Sequence, residues 1–277
     1  MSALKRGDSG AAVSHLQSQL QHAVAPNLSV DGQFGASTEQ ALRTYQQRAG
    51  LTVDGMAGAQ TAAALDAFSS RPPLSGSAWQ AAAQRLNVEL AALKAVAEVE
   101  SLGSGFLLNG LPKILFERHV MYQRLSLPRS PTEDAQVLHG KAERLAADYP
   151  QLVNRQSGGY QGGLAEHQRL ALARQLDARC ANEATSWGAF QIMGYHWQRL
   201  GYASVNAFVE AMAADSEQQL AAFIRFIETD APLHSALREQ DWPQFARRYN
   251  GPAYARNQYD SKLASAYQRL RSNPVNV

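Results

Sequence analysis

From residue 78 to the C-terminus, apolar side chains recur every three to four positions with polar residues between them, the period of a helix packed on one face. The pattern predicts helices over residues 78–86, 88–101, 113–124, 132–146, 164–181, 187–199, 204–229, 231–239, 242–249 and 253–271. No run of alternating β-branched residues competes with it. Before residue 70 three shorter helices are expected, around Val13-Leu16-Leu20, Ala41-Leu42-Tyr45 and Ala62-Leu65. The expected fold class is all-α, a small three-helix domain followed by a larger helical one.

The small domain carries an internal repeat. Val30-Asp31-Gly32-Gln33-Phe34-Gly35 returns as Val53-Asp54-Gly55-Met56-Ala57-Gly58, each followed three residues on by a threonine, Thr38 and Thr61. Asp-Gly marks a tight turn, the second glycine permits another special backbone angle, and the threonine is placed to cap the next helix. A unit of roughly 23 residues is too small to fold alone, so two copies are expected to share one core. The segment Ser69–Ser77 contains Pro72-Pro73 among small polar residues and reads as a linker. The division expected is residues 1–70, a linker at 71–77, and residues 78–277. Within the larger part, Ser157-Gly158-Gly159-Tyr160-Gln161-Gly162-Gly163 is a loop, either a plain connection or a wall or lid of a cleft.

Composition narrows the field without deciding it. The 277 residues are 45% hydrophobic and 18% charged, an ordinary globular mixture. A net charge of +2 argues against nucleic acid as the main partner. No apolar run reaches the length of a membrane span or a signal peptide, so synthesis in the cytoplasm is expected; a monomer is the default. One cysteine, Cys180, leaves no internal disulfide, and the histidines form no His-Glu-x-x-His pattern, so no metal or other cofactor is expected.

One position stands out on the helical wheel. Leu90, Leu93, Val96 and Ala97 make an apolar stripe, and Glu100 falls about 20° from Leu93, inside it. Glu98 lies about 140° away and reads as solvated. A carboxylate on an apolar face should have a raised pKa, which suits a general acid working near neutral pH. The alternative is a buried glutamate paired with an arginine.

Three ordered motifs carry a family resemblance. Val99-Glu100-Ser101-Leu102-Gly103-Ser104-Gly105-Phe106, Ile114-Leu115-Phe116-Glu117-Arg118-His119 and Ser186-Trp187-Gly188-Ala189-Phe190-Gln191-Ile192-Met193-Gly194 resemble the N-acetylmuramidase domain of modular phage endolysins. Glu100-Ser101, the Ser186–Met193 segment and Tyr249-Asn250-Gly251-Pro252 are also similar to elements of the goose-type lysozyme and lytic transglycosylase branch of the lysozyme superfamily. The doubled Asp-Gly-x-x-Gly turn resembles that of a peptidoglycan-binding domain. The whole chain therefore looks like an endolysin of Gram-negative phages with its binding module first and a lysozyme-like helical domain second.

The resemblance implies roles at matching positions only. Glu100 is the expected proton donor. Ser101, Ser186, Gln191, Tyr249 and Asn250 are the expected substrate-binding positions, with Tyr249 the aromatic expected to touch sugar. Glu117 is the candidate second carboxylate, with an ion-pair or helix-positioning role with Arg118 or a neighbour as its alternative. Asp31, Gly32, Gly35, Asp54, Gly55 and Gly58 are expected to form turns beside any ligand groove. The implied activity is hydrolysis of the β-1,4 bond between N-acetylmuramic acid and N-acetylglucosamine in peptidoglycan, causing host lysis. An inverting hydrolase needs its second carboxylate roughly 6.5–9.5 Å away to position water. Without one, a transglycosylase forming an anhydro product is the alternative; a wall-binding protein without activity is another. Action on the wall in the periplasm would follow release through a membrane breach such as a holin provides.

Overall fold

A computed structural model describes residues 3–101, 104–251 and 254–272. Leu102, Gly103 and Pro252, quoted in the motifs above, and the start of the helix expected at 253 lie outside the described residues. The chain divides into two compact units, Met1–Pro72 with Phe106–Pro112, and Pro73–Gly105 with Lys113–Val277.

The first unit packs α1 (Ala11–Ala23), α2 (Ala36–Ala49) and α3 (Ala59–Ser69) around Val13, Leu20, Leu42, Tyr45 and Leu65. The two repeat turns are built alike. Gly32 (φ 72°) and Gly55 (φ 73°) take the left-handed backbone that favours glycine. Asp31 and Asp54 each accept the N–H two residues on, at 2.9 Å. Gly35 and Gly58 do not need a special angle: both are extended and sit at the N-caps of α2 and α3. The threonines do not cap either. Thr38 and Thr61 lie inside the helices, buried, where each hydroxyl meets a glutamine of the preceding helix, Gln17 at 3.0 Å and Gln46 at 3.2 Å. The turn leaves a backbone N–H and a carboxylate facing inward, and only a long amide reaches both.

The segment Phe106–Pro112 comes from beyond the expected linker, yet belongs to this unit. Tyr45 donates to the Leu108 carbonyl at 2.8 Å, Leu108 packs on the core, and the Arg71 guanidinium lies 5.1 Å over the Phe106 ring.

The second unit is mostly helical: α4 (Gly76–Leu86), α5 (Leu90–Ser101), α6 (Arg118–Ser126), α7 (Ala135–Asp148), α8 (Gly163–Glu183), α9 (Val205–Ala214), α10 (Ser216–Glu228), α11 (Ala231–Glu239), α12 (Trp242–Tyr249) and α13 (Tyr259–Ser272). Two expected helices are corrected. Residues 114–116 form β1 (Ile114–Phe116), and residues 187–199 contain the end of β2 (Thr185–Trp187), then β3 (Ile192–Met193) and a short 3-10 turn. These make a three-stranded antiparallel sheet in the order β1-β2-β3, with Leu115 opposite Ser186 and Ser186 opposite Met193. Strands this short carry no readable period, and β1 finds its partner β2 some 70 residues away. A further correction is the single helix expected over 204–229, which breaks at Asp215, whose side chain caps α10 by accepting from Gln218 N–H at 2.8 Å.

Candidate active site

Glu100 sits one residue from the end of α5, beside buried Ala97 and Val96. Burial pushes its carboxyl up to about 7, opposed only by a hydrogen bond from Asn250 Nδ2 to Oε1 at 2.9 Å. The other amide atom of Asn250, Oδ1, is buried with no hydrogen-bond partner among the described residues. Glu98 points the other way, in an ion pair with Arg269 whose side chains are both well exposed.

Tyr249 ends α12 and fixes Asn250. Its hydroxyl donates to the Phe190 carbonyl at 2.5 Å, and its ring stacks on Phe245 at 5.2 Å and meets Phe226 edge-on at 5.3 Å. The structure thus gives Tyr249 an anchoring task. Burial, then the nearby Glu100 charge, raises its hydroxyl pKa well above the ordinary value.

Ser101, Ser186 and Gln191 are largely satisfied internally. Ser101 donates to Ala97 O within its own helix. Ser186 donates to Gln191 Oε1 at 2.8 Å, and Gln191 Nε2 donates to Gly188 O at 2.8 Å. Gln191 holds a left-handed backbone (φ 46°) at the β2–β3 turn, a conformation the side-chain bonds offset. Ser186 and Gln191 shape the β2–β3 hairpin.

Glu117 precedes α6 and accepts from Tyr160 Oη at 2.7 Å. His119 Nδ1 stands 3.1 Å from the same carboxylate oxygen. Arg118 turns away, donating to the carbonyls of Gln156 and Ser157, both at 3.0 Å, so the neighbour within ion-pair distance of Glu117 is His119. Buried Glu166 accepts from the N–H groups of Gln161 and Gly162 and from Phe116 N–H. The glycine-rich loop is therefore pinned at both ends, and Tyr160 lies against Glu117. The two candidate carboxylates share a neighbour: the Tyr259 hydroxyl at the start of α13 is raised by burial and then by the charges of Glu100 and Glu117. Tyr160 and Tyr259 were not expected from sequence, since neither falls within a motif and their proximity to the glutamates is purely tertiary.

A mostly helical body with a small antiparallel sheet, and a glutamate whose pKa burial raises, fit a lysozyme-like glycosidase. Residues 89–271 match the N-acetylmuramidase family, and the chain belongs to that family. Residues 9–65 match the peptidoglycan binding domain family. The chain is similar, at 48% identity over 98% of its length and 100% of the other chain, to the crystal structure of a Burkholderia AP3 phage endolysin (TM-score 0.62). No curated protein matches the sequence.

Proposed function

We propose that this chain is an endolysin in which residues 1–70 hold peptidoglycan and residues 78–277 hydrolyse the muramic acid–glucosamine β-1,4 bond. Glu100 is the proton donor and no cofactor takes part. The observation that carries this reading is a carboxyl raised to about 7 by burial, with one oxygen accepting from Asn250 and no hydrogen-bond partner for the other among the described residues. In the reaction the Glu100 proton passes to the glycosidic oxygen as the C1–O bond of the muramic acid breaks. Water attacks C1, and Glu117 takes the proton that water gives up. Tyr160 holds Glu117 in place for that role, with His119 Nδ1 3.1 Å away. Exchange with solvent then returns both carboxyls to their starting states.

In the first unit, a groove of about 770 Å³ runs between α1 and α3, lined by Leu4, His15, Leu16, Ala59, Ala62 and Asp66 among others. It lies beside the second turn at Gly58, and we assign it to the glycan or its peptide. Holding the polymer there keeps the local concentration of bonds high even at modest affinity. No helix among the described residues is long and apolar enough to cross a membrane, and release to the wall would depend on a breach made by another protein. The protein acts as a monomer.

The test is lysis of outer-membrane-stripped Gram-negative cells by wild type and Glu100→Gln, with products identified by mass spectrometry. The expected result is lysis by wild type alone with reducing muramic acid ends. Anhydro ends would replace hydrolysis with transglycosylation, and equal lysis by both proteins would remove Glu100 from the acid's role.

A further inference from the structure

Gln219 lies on the first turn of α10, outside every motif, and is 1% exposed. Its side chain is spent on three separate stretches of backbone. Oε1 accepts from Ala189 N–H at 2.8 Å; Nε2 donates to Met212 O at 2.8 Å and, more weakly, to Gly105 O at 3.4 Å. Gly105 follows the helix that carries Glu100, and Ala189 belongs to the turn that ends in Gln191.

Both contacts need glycine. A Cβ on Gly105 would lie 1.8 Å from Gln219 Oε1, and one on Gly188 would lie 2.6 Å from its Cδ. Gly105 has no left-handed backbone to explain it, so the close approach of this amide and of the Ala189 backbone is the reason a glycine stands there. Lys113 closes the network from the front. Its N–H donates to Gly105 O and its carbonyl accepts from Gly188 N–H, both at 2.8 Å, while Nζ donates to Ser101 O at 2.6 Å.

We infer that Gln219 is a positioning residue for the muramidase reaction: it fixes the segment after Glu100 against the Gly188–Gln191 turn. The inference rests on Glu100 as the acid. A buried amide binding neutral backbone groups sets distance and direction without adding charge, and an error of about 1 Å between acid and bond costs rate far more than it costs binding. Gln219 touches no reacting atom.

The full-length protein is assayed on soluble, peptide-free glycan strands, with kcat, KM and thermal unfolding measured for each variant. For Gln219→Met, which keeps length and loses every hydrogen bond, kcat per folded molecule is expected to fall about tenfold or more with KM within about twofold. Gly105→Ala, which displaces the amide, is expected to show the same loss, and the two losses are not expected to add. Gln219→Glu is expected to be impaired at neutral pH and to recover relative to wild type as acid returns one donor to the carboxyl. A purely structural role would lower the folded fraction and leave kcat per folded molecule and the pH profile unchanged. A value of kcat for Gln219→Met within twofold of wild type, or additive losses, would overturn the inference. Should Gln219→Met not fold, Gly105→Ala and the acid recovery of Gln219→Glu decide. Glu100→Gln run in parallel separates the two readings: full turnover removes the acid assignment and the inference together, whereas a dead Glu100→Gln beside a normal Gln219→Met removes the positioning role alone.

Discussion

Glu100 gives up solvation that its charge would otherwise have, and the consequence runs through both rate and stability. Its carboxyl titrates near 7 in place of 4.5. Only the protonated form can donate, so kcat is expected to fall as pH rises through about 7. Asn250 opposes the raised pKa, and Asn250→Ala should therefore move that limb to higher pH while lowering kcat, as a pH–rate profile would record. The same shift acts on folding. Between 4.5 and about 7 the unfolded chain has lost the proton that the native state keeps, so stability falls as pH rises across that window and stays lowered above it. A difference of about 2.5 pH units corresponds to at most about 3 kcal/mol. Glu100→Gln should thus be more stable than wild type at pH 8, with the gain shrinking toward pH 4.5; no gain in the unfolding midpoint at pH 8 would contradict the burial of this carboxyl.

Among the elements, buried glutamines do a repeated task. Gln17 and Gln46 each receive a glycine N–H, from Gly32 at 2.8 Å and Gly55 at 2.9 Å, and each donates to the aspartate of the same turn. Gln219 fastens Gly105 and the Gly188–Ala189 turn in the second unit by the same chemistry. Removing such an amide strands buried donors and acceptors, each worth about 1–3 kcal/mol. Gln46→Met is expected to destabilise the first unit by about 2–4 kcal/mol, read from the denaturant midpoint. Asp215→Ala, which uncaps α10, should cost about 1 kcal/mol and loosen the turn bearing Gln219. The signal for these residues was present in the sequence: Gln17 and Gln46 lie on the apolar stripes of their helices, as Glu100 does on its own. The wheel singled out the charged residue and passed over the neutral ones.

At the scale of the molecule, the chain leaves the second unit after Gly105, contributes Phe106–Pro112 to the first, and returns at Lys113. The chain thereby crosses between the two units three times, at Pro72–Pro73, Gly105–Phe106 and Pro112–Lys113. Gly110 fits only as glycine: its φ is 76°, and a Cβ there would lie 2.7 Å from the Ala67 side chain and 2.9 Å from its backbone. Gly110→Ala should destabilise the first unit by about 1–3 kcal/mol. Calorimetry is expected to show the two units unfolding in one coupled transition in the wild type. Two well-separated transitions would show that the segment carries no coupling.

Local chemistry was legible without the fold. Helical periods, the doubled Asp-Gly turn and the place of Glu100 within an apolar stripe all depend on neighbours within a few residues, and the ordered motifs carried the family. What only the tertiary structure decided involves groups far apart in the chain. Ile114–Phe116 became a strand because Thr185–Trp187 was there to pair with it. Glu117 gained Tyr160, Thr38 turned inward to Gln17, and Phe106–Pro112 joined the first unit. Ser101, Ser186, Gln191 and Tyr249 proved to have internal partners. A polar side chain is committed by whichever partner burial brings within hydrogen-bond reach, and no pattern of near neighbours encodes that distance.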